Sequence, residues 1–467
     1  MDGEMDPKTI ELVKEIFPPE DVTDAREDLM VYGYDATGEE RTPDVVAFPR
    51  DAEQISRTLK LANERGFAVT ARGAGSGFVG AAIPSHGGVV LVMTHMSRIL
   101  EIDEDNLTAL VEPGLVTGRF QKAVEERGFF YPPDPASLNV STLGGNVAMG
   151  AGGPRAVKYG VTRDYVLGLE VVLPTGEIIH TGARTVKSVV GYDLTRLMIG
   201  SEGTLGIITR IRLKLLPKPE DVKTMLVMFE SALAAARTVS AIIKGKVIPR
   251  TLEFMDKGAV TAVEEYLRAG LPTEAGALLL IETDGSPETA EREMARIRDI
   301  CAENGSVRME VAGSEEERET LWKVRRSISP AILRIKPSKI NEDVTVPRSR
   351  IPDLMERLSE LSSRVGLPII NFGHAGDGNI HVNVMTDKEN AEEYERAKKA
   401  VDEVFGICLE LGGTLSGEHG IGLSKAAYIE SEIGSVGVEI TKRIKGVFDP
   451  NNILNPGKIV PVTGAVV

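Results

Sequence analysis

Imidazoles bind metals and carry protons near neutral pH, and two of the six in this chain fall within NFGHAGDGNIHVN, residues 371–383. Asp377-Gly378 lies there between the apolar runs 367–372 and 380–385, a strong short-range hairpin signal. A turn at those two residues would set His374 directly opposite His381 with Cβ atoms roughly 5 Å apart, close enough to share one metal ion. Glu418, in Ser416-Gly417-Glu418-His419-Gly420, would complete a two-histidine, one-carboxylate set with coordination positions left open for water or substrate. His419 is then left beside the metal as a base. Zinc suits such ligands first, and manganese and iron(II) accept the same set. The competing reading is a hairpin whose histidines only hydrogen-bond.

A second kind of chemistry is written in glycine. Arg72-Gly73-Ala74-Gly75-Ser76-Gly77 follows a predicted strand, and Gly75-x-Gly77-x-x-Gly80 has the spacing of a dinucleotide fingerprint. The context fails, because Pro84 and Gly87-Gly88 interrupt the helix that such a fold requires next. Consecutive backbone N–H groups can still face an anion. Two further small-residue regions follow, 137–153 (SLNVSTLGGNVAMGAGG) after Tyr131-Pro132-Pro133-Asp134-Pro135, and 200–206 (GSEGTLG). Three such loops suggest one long cofactor touched at several points, where main chain can approach closely.

The elements that must position these residues alternate in type. A helix over 52–65 ends at Gly66 and precedes a strand over 67–71, and strands over 171–173 and 177–180 flank Pro174-Thr175-Gly176. Asp6-Pro7 caps a short N-terminal helix. Residues 217–220 form a charged, proline-containing break, after which strands and amphipathic helices alternate as in an α+β sheet.

The chain has 467 residues, enough for two or three domains, and a formal charge of −15 with no basic cluster, which argues against nucleic acid. No signal peptide and no 20-residue apolar run is legible, so a cytoplasmic protein without a membrane-spanning segment is expected. Cys301 and Cys408 lie far apart and offer no spacing for an iron-sulfur cluster. Electrons handled here must leave through another cofactor or partner.

RGAGSG, PPDPAS with STLGGN, and GSEGTLG, in this order, resemble the FAD-binding domain of the vanillyl-alcohol oxidase and p-cresol methylhydroxylase superfamily. HAGDGNIH, SGEHGIG and FDPNNILNPGK resemble the C-terminal half of its 2-hydroxy-acid branch, which includes glycolate oxidase, D-lactate dehydrogenase and D-2-hydroxyglutarate dehydrogenase. The resemblance spans about residues 40 to 460. It implies an α+β fold: an FAD-binding domain over 1–218 with a helical lead over 1–40, a ferredoxin-like cap domain over 219–420, and a closing segment over 421–467. It implies FAD held by Arg72, Gly73, Ala74, Gly75, Ser76 and Gly77, with Pro133, Asp134, Ser137, Thr142, Gly144, Gly145, Gly203, Ile207 and Asn455 around it. His374, His381 and Glu418 are implied as metal ligands and His419 as catalytic base. Arg325, near Trp322, is implied to grip the substrate carboxylate, with the neighbouring Arg326 one position away. The distal end of the substrate is implied to meet Asn341, where 2-hydroxyglutarate enzymes place a lysine, although Lys336 and Lys339 are close by. The histidine that bonds covalently to FAD in some relatives is absent from RGAGSG, so noncovalent FAD is expected.

The implied reaction is oxidation of D-lactate or glycolate, with metal assistance and hydride passing to the flavin. The electrons are expected to go to an electron-transferring flavoprotein, an iron-sulfur subunit or a quinone, which would allow peripheral association with a membrane. A homodimer is compatible with the sequence. Three alternatives stand beside this: a D-2-hydroxyglutarate dehydrogenase, a non-catalytic flavoprotein subunit, and a flavin-dependent ether-lipid synthase, for which no basic amphipathic segment is present.

Overall fold

The computed structural model describes residues 5–461. They form two compact units. The first comprises 5–152, 161–218 and 418–461, and the second 153–160 and 219–417. Sequence reading placed the cap domain at 219–420; its compact unit ends at Gly417 and gains residues 153–160 from within the glycine-rich region.

In the first unit, strands Val45–Ala47, Val89–Val92 and Val69–Arg72 pair in parallel, and Val22–Thr23 adds an antiparallel edge. Val45–Ala47 and Val89–Val92 are entirely buried valine, leucine and alanine, the pattern of a sheet covered on both faces. Helix Ala52–Arg65 packs Ile55 and Leu59 onto this sheet. Asp51 caps its start by accepting the Gln54 N–H, and Gly66, at φ +76°, ends it in a left-handed conformation. A five-stranded antiparallel sheet follows, ordered 99–103, 108–111, 207–214, 166–172, 178–182. The closing segment returns to the first sheet: Val69 N–H donates to Ile453 O and Asn455 N–H to Val69 O, each at 2.8 Å.

The second unit is one seven-stranded antiparallel sheet. Strands Asp221–Phe229, Thr251–Asp256, Ala277–Gly285 and Ser306–Val311, with helices Ala232–Lys244 and Pro287–Glu303, form the ferredoxin-like half. Ile369–His374 joins it through Thr251–Asp256 and leads to Asn379–Thr386 and Ser338–Thr345. Asp284, fully buried, accepts from Lys158 Nζ (2.5 Å), Tyr159 Oη (2.7 Å) and Arg250 Nη1 (2.8 Å), which anchors the 153–160 excursion to the sheet. Among the described residues, no helix is long and apolar enough to cross a membrane.

The hairpin differs from its predicted register. Its loop is Ala375–Gly378, four residues rather than two, so His374 faces Asn379 and His381 faces Phe372. Two successive turns cause this: Asp377 N–H donates to His374 O, Gly378 N–H to Ala375 O, and Gly376 N–H is drawn to Leu252 O. The pairing shifts by two positions, and because strand side chains alternate with period two, both histidines stay on one face.

Candidate active site

A cleft opens in the first unit between the three small-residue loops. Arg72 through Gly77, Ser137, Thr142, Gly144, Gly145, Gly203 and Ile207 line it. Its walls approach so closely that side chains are excluded at defined points. A Cβ on Gly73 would lie 2.4 Å from Thr142 Oγ1, and one on Gly144 would lie 2.5 Å from Pro113 Cβ. Gly75, at φ +69°, lies directly over the Arg72 guanidinium, whose Nη1 donates to Tyr34 O at 2.5 Å. Burial lowers the Arg72 pKa, against the opposing pull of Asp35. Thr142 caps helix Leu143–Met149 by accepting the Gly145 N–H at 3.2 Å. A long, flat ligand with an anionic centre fits these features, since main chain forms much of the lining. FAD has that shape and charge.

Pro133, Asp134 and Asn455 do not line the cleft. Pro133 O receives Gln121 Nε2 at 2.7 Å in a buried extended segment. Asn455 lies behind the wall, where its Nδ2 donates to Ala81 O (2.9 Å) and Glu202 O (2.7 Å). Asn455 thereby braces the lining residues Ala81 and Glu202.

Glu418 and His419 also line the cleft. The His419 imidazole stacks on Phe78, with ring centres 5.1 Å apart and planes 29° apart. The Glu418 carboxylate lies against Gly152, where a Cβ would come within 3.0 Å of Oε2. Glu202, buried in the same wall, accepts the N–H groups of Ile421 and Gly422, both at 2.7 Å. Burial pushes its carboxyl up to about 7, although those two N–H bonds and the nearby Lys458 and Lys425 oppose the shift. Lys458 is in turn brought down to about 8 by burial, and its Nζ donates to Ile83 O at 2.7 Å.

In the second unit, the two histidines share one face of the sheet with ring centres 5.2 Å apart. Glu253, at 0% exposure, accepts from His374 Nδ1 at 2.8 Å and pairs with Arg325 Nη2 at 2.6 Å. Burial pushes the Glu253 carboxyl up, but His374 and Arg325 outweigh it and hold it below the usual range. A carboxylate on Nδ1 fixes the ring orientation and turns Nε2 outward, as in metal-ligating histidines. Arg325 also lies over the Phe372 ring at 5.0 Å, and its buried Nε has no partner among the described residues. Asp343 grips the chain before Glu418, accepting Gly417 N–H at 3.0 Å and Ser416 Oγ at 3.1 Å.

Trp322 and Asn341 are engaged within the fold: Trp322 Nε1 donates to Glu282 at 2.7 Å, and Asn341 Nδ2 to Asn383 Oδ1 at 2.8 Å. Lys339, on the Asn341 face of its strand, donates to Ser329 Oγ at 2.7 Å, and burial brings its pKa down to about 8. Sequence reasoning missed Phe78, Glu253 and Asp343. A signal existed for Glu253, a carboxylate between the apolar Leu252 and Phe254 of strand 251–256, but its partners lie 72 and 121 residues away.

Comparison with known proteins gives a consistent picture. Residues 218–459 match the family model for the C-terminal domain of FAD linked oxidases, and residues 43–182 match that for the FAD binding domain. The glycolate oxidase subunit GlcD of Bacillus subtilis (strain 168) is 49% identical over 442 residues, covering 94% of each chain. A D-lactate dehydrogenase of Anaerostipes hadrus is 37% identical, covering 97% of each. Among solved structures, p-cresol methylhydroxylase with substrate bound superposes with a TM-score of 0.82 over 98% of each chain at 18% identity, a likeness of fold.

Proposed function

Because the chain belongs to the FAD-linked oxidases, we propose that it oxidises a small 2-hydroxy acid, D-lactate or glycolate, to the 2-oxo acid. The observation that carries this reading is the glycine-walled cleft with His419 at its edge. The names of the similar relatives support the substrate class. Bound noncovalently, FAD would supply a two-electron acceptor for the C2 hydride. His419 takes the hydroxyl proton at an imidazole nitrogen, and Phe78 holds the ring plane. The Arg325 guanidinium, held in place by Glu253, grips the substrate carboxylate, which orients C2.

His374 and His381, on one face of the second unit's sheet with Glu253 bracing His374, are the candidate metal-holding pair. A divalent ion held there, zinc first, would supply a Lewis acid for the hydroxyl. The proposed division of labour is an FAD domain, a cap domain over 219–420 and a closing segment. Electrons leave to a partner flavoprotein, an iron-sulfur subunit or a quinone, the last placing the protein at a membrane surface through that partner.

The neutral Asn341 favours a small acid, since a distal carboxylate there forgoes a charge-assisted bond worth roughly 1.5 to 3 kcal/mol. Lys339, two positions along the same face, favours the second reading, D-2-hydroxyglutarate. Anaerobic flavin bleaching with a panel of D- and L-2-hydroxy acids decides between them. D-lactate or glycolate should bleach fastest; faster bleaching by D-2-hydroxyglutarate would replace the substrate, and none by any acid would end the reading. Reoxidation of the bleached protein by NAD alone would overturn the acceptor.

A further inference from the structure

The turn after His419 is built so tightly that its position depends on one buried side chain. Gly420 is at φ +87°, and a Cβ there would lie 2.7 Å from Glu202 Oε1. Gly422 is at φ +53°, and a Cβ there would lie 2.0 Å from Val79 O. Glu202 accepts the Ile421 N–H with one carboxylate oxygen and the Gly422 N–H with the other. From the opposite side, Val79 O accepts the Leu423 N–H at 2.7 Å, and the neighbouring Phe78 stacks on the imidazole. Glu202 is itself fixed through its carbonyl by Asn455, which is tied to Val69.

We propose that Glu202 is the positioning residue for the base His419: its carboxylate clamps the 420–422 turn and so holds the imidazole against Phe78 at the cleft wall. This rests on the reading of His419 as the base. Both acceptor oxygens are required, because the two donors are consecutive backbone N–H groups. Glutamine has the same shape but offers one oxygen and turns an NH2 toward the second N–H, which leaves a buried donor unmatched. The glycines at 420 and 422 follow from the same clamp, since a side chain at either would push the turn off the carboxylate or off Val79.

The test is a double-mutant cycle with FAD-loaded protein. Reduction of the flavin by saturating D-lactate or glycolate is followed for wild type, Glu202→Gln, His419→Asn and the double variant. Glu202→Gln should slow reduction roughly tenfold with little change in KM and unchanged FAD affinity, and His419→Asn should slow it on the order of 100-fold. The double variant should be no slower than His419→Asn, because Glu202 acts only through the imidazole. A multiplicative loss in the double variant, or FAD release by Glu202→Gln, would overturn the assignment. An unaffected His419→Asn protein would instead sink the reading of the base. A readout independent of turnover is the His419 ring proton resonance in the flavin-free protein, identified by its absence in His419→Asn. It should move in Glu202→Gln, and an unmoved signal counts against the clamp. If Glu202→Gln does not fold, Gly420→Ala displaces the same carboxylate and should give the same non-additivity.

Discussion

The proposed flavin cleft and the proposed metal-holding histidine face would recognise their ligands by opposite means. The cleft relies heavily on main chain, with walls brought within van der Waals contact at Gly73, Gly75 and Gly144. The histidine face works with charged side chains, and each is braced from another strand or helix: His374 and Arg325 converge on Glu253, and Gly417 is held by Asp343. Backbone recognition tolerates almost no added atoms, whereas side-chain recognition fails when a brace loses its charge. Substitutions in the two regions should therefore fail in distinguishable ways.

The largest separation is expected from Gly144→Val. Its added atoms meet Pro113 Cβ and O at 2.5 and 2.9 Å, and the Gly144 N–H is already committed to Pro113 O at 2.7 Å. FAD affinity should fall roughly 100-fold or more, measured by flavin fluorescence during titration of the flavin-free protein, while bound metal is retained. Normal flavin binding would show that the close approach is dispensable. The converse is His374→Ala, which should keep FAD but lose divalent metal affinity on the order of 100-fold, read by elemental analysis after dialysis. If metal content is unchanged, the imidazole is not a ligand.

Glu253→Gln sharpens the contrast. It leaves Arg325 buried without its counter-charge, and removing one partner of a buried pair costs roughly 3–5 kcal/mol, visible as a lower urea midpoint. Unchanged stability would mean that the pair is relieved by solvent. The smallest effect is expected at Lys339. Its folded pKa of about 8 lies below the unfolded value of about 10.4, so the buried charge is a cost fully present below pH 8 and relieved as pH rises toward 10.4. Lys339→Met should raise the melting temperature at pH 7 by about 2–4 °C, and the gain should vanish near pH 10.5. A gain that persists there would point to packing rather than charge.

The same contrast explains what was legible in the sequence. The loops at 72–77, 137–153 and 200–206 could be read because positive φ and close approach demand glycine, and glycine spacing is visible without a fold. The histidine pair could be read as neighbours because strand alternation keeps them on one face, even though four loop residues replaced the expected two. Glu253, Asp343 and Glu202 could not be assigned roles, because each acts on residues distant in the chain: 121 residues for Glu253 and His374, and 219 for Glu202 and Ile421. Asn455 was expected at the cofactor and instead supports the wall that the cofactor would touch. One-dimensional spacing does not distinguish lining from support.

The parallel bridge between Val69 and Leu454 bears on the order in which the chain folds during synthesis. The second unit is continuous from 219 to 417 apart from the eight residues 153–160, which have already been made when that run emerges. It can therefore complete its sheet while the last segment is still in the ribosome. The first unit cannot, because strand Val69–Arg72, paired on one edge with Val89–Val92, lacks its neighbour on the other edge until residues 453–455 are released, about 385 residues later. Until then the edge of that strand is an open template for pairing with other chains, which makes the nascent first unit the stage most exposed to aggregation and most in need of a chaperone.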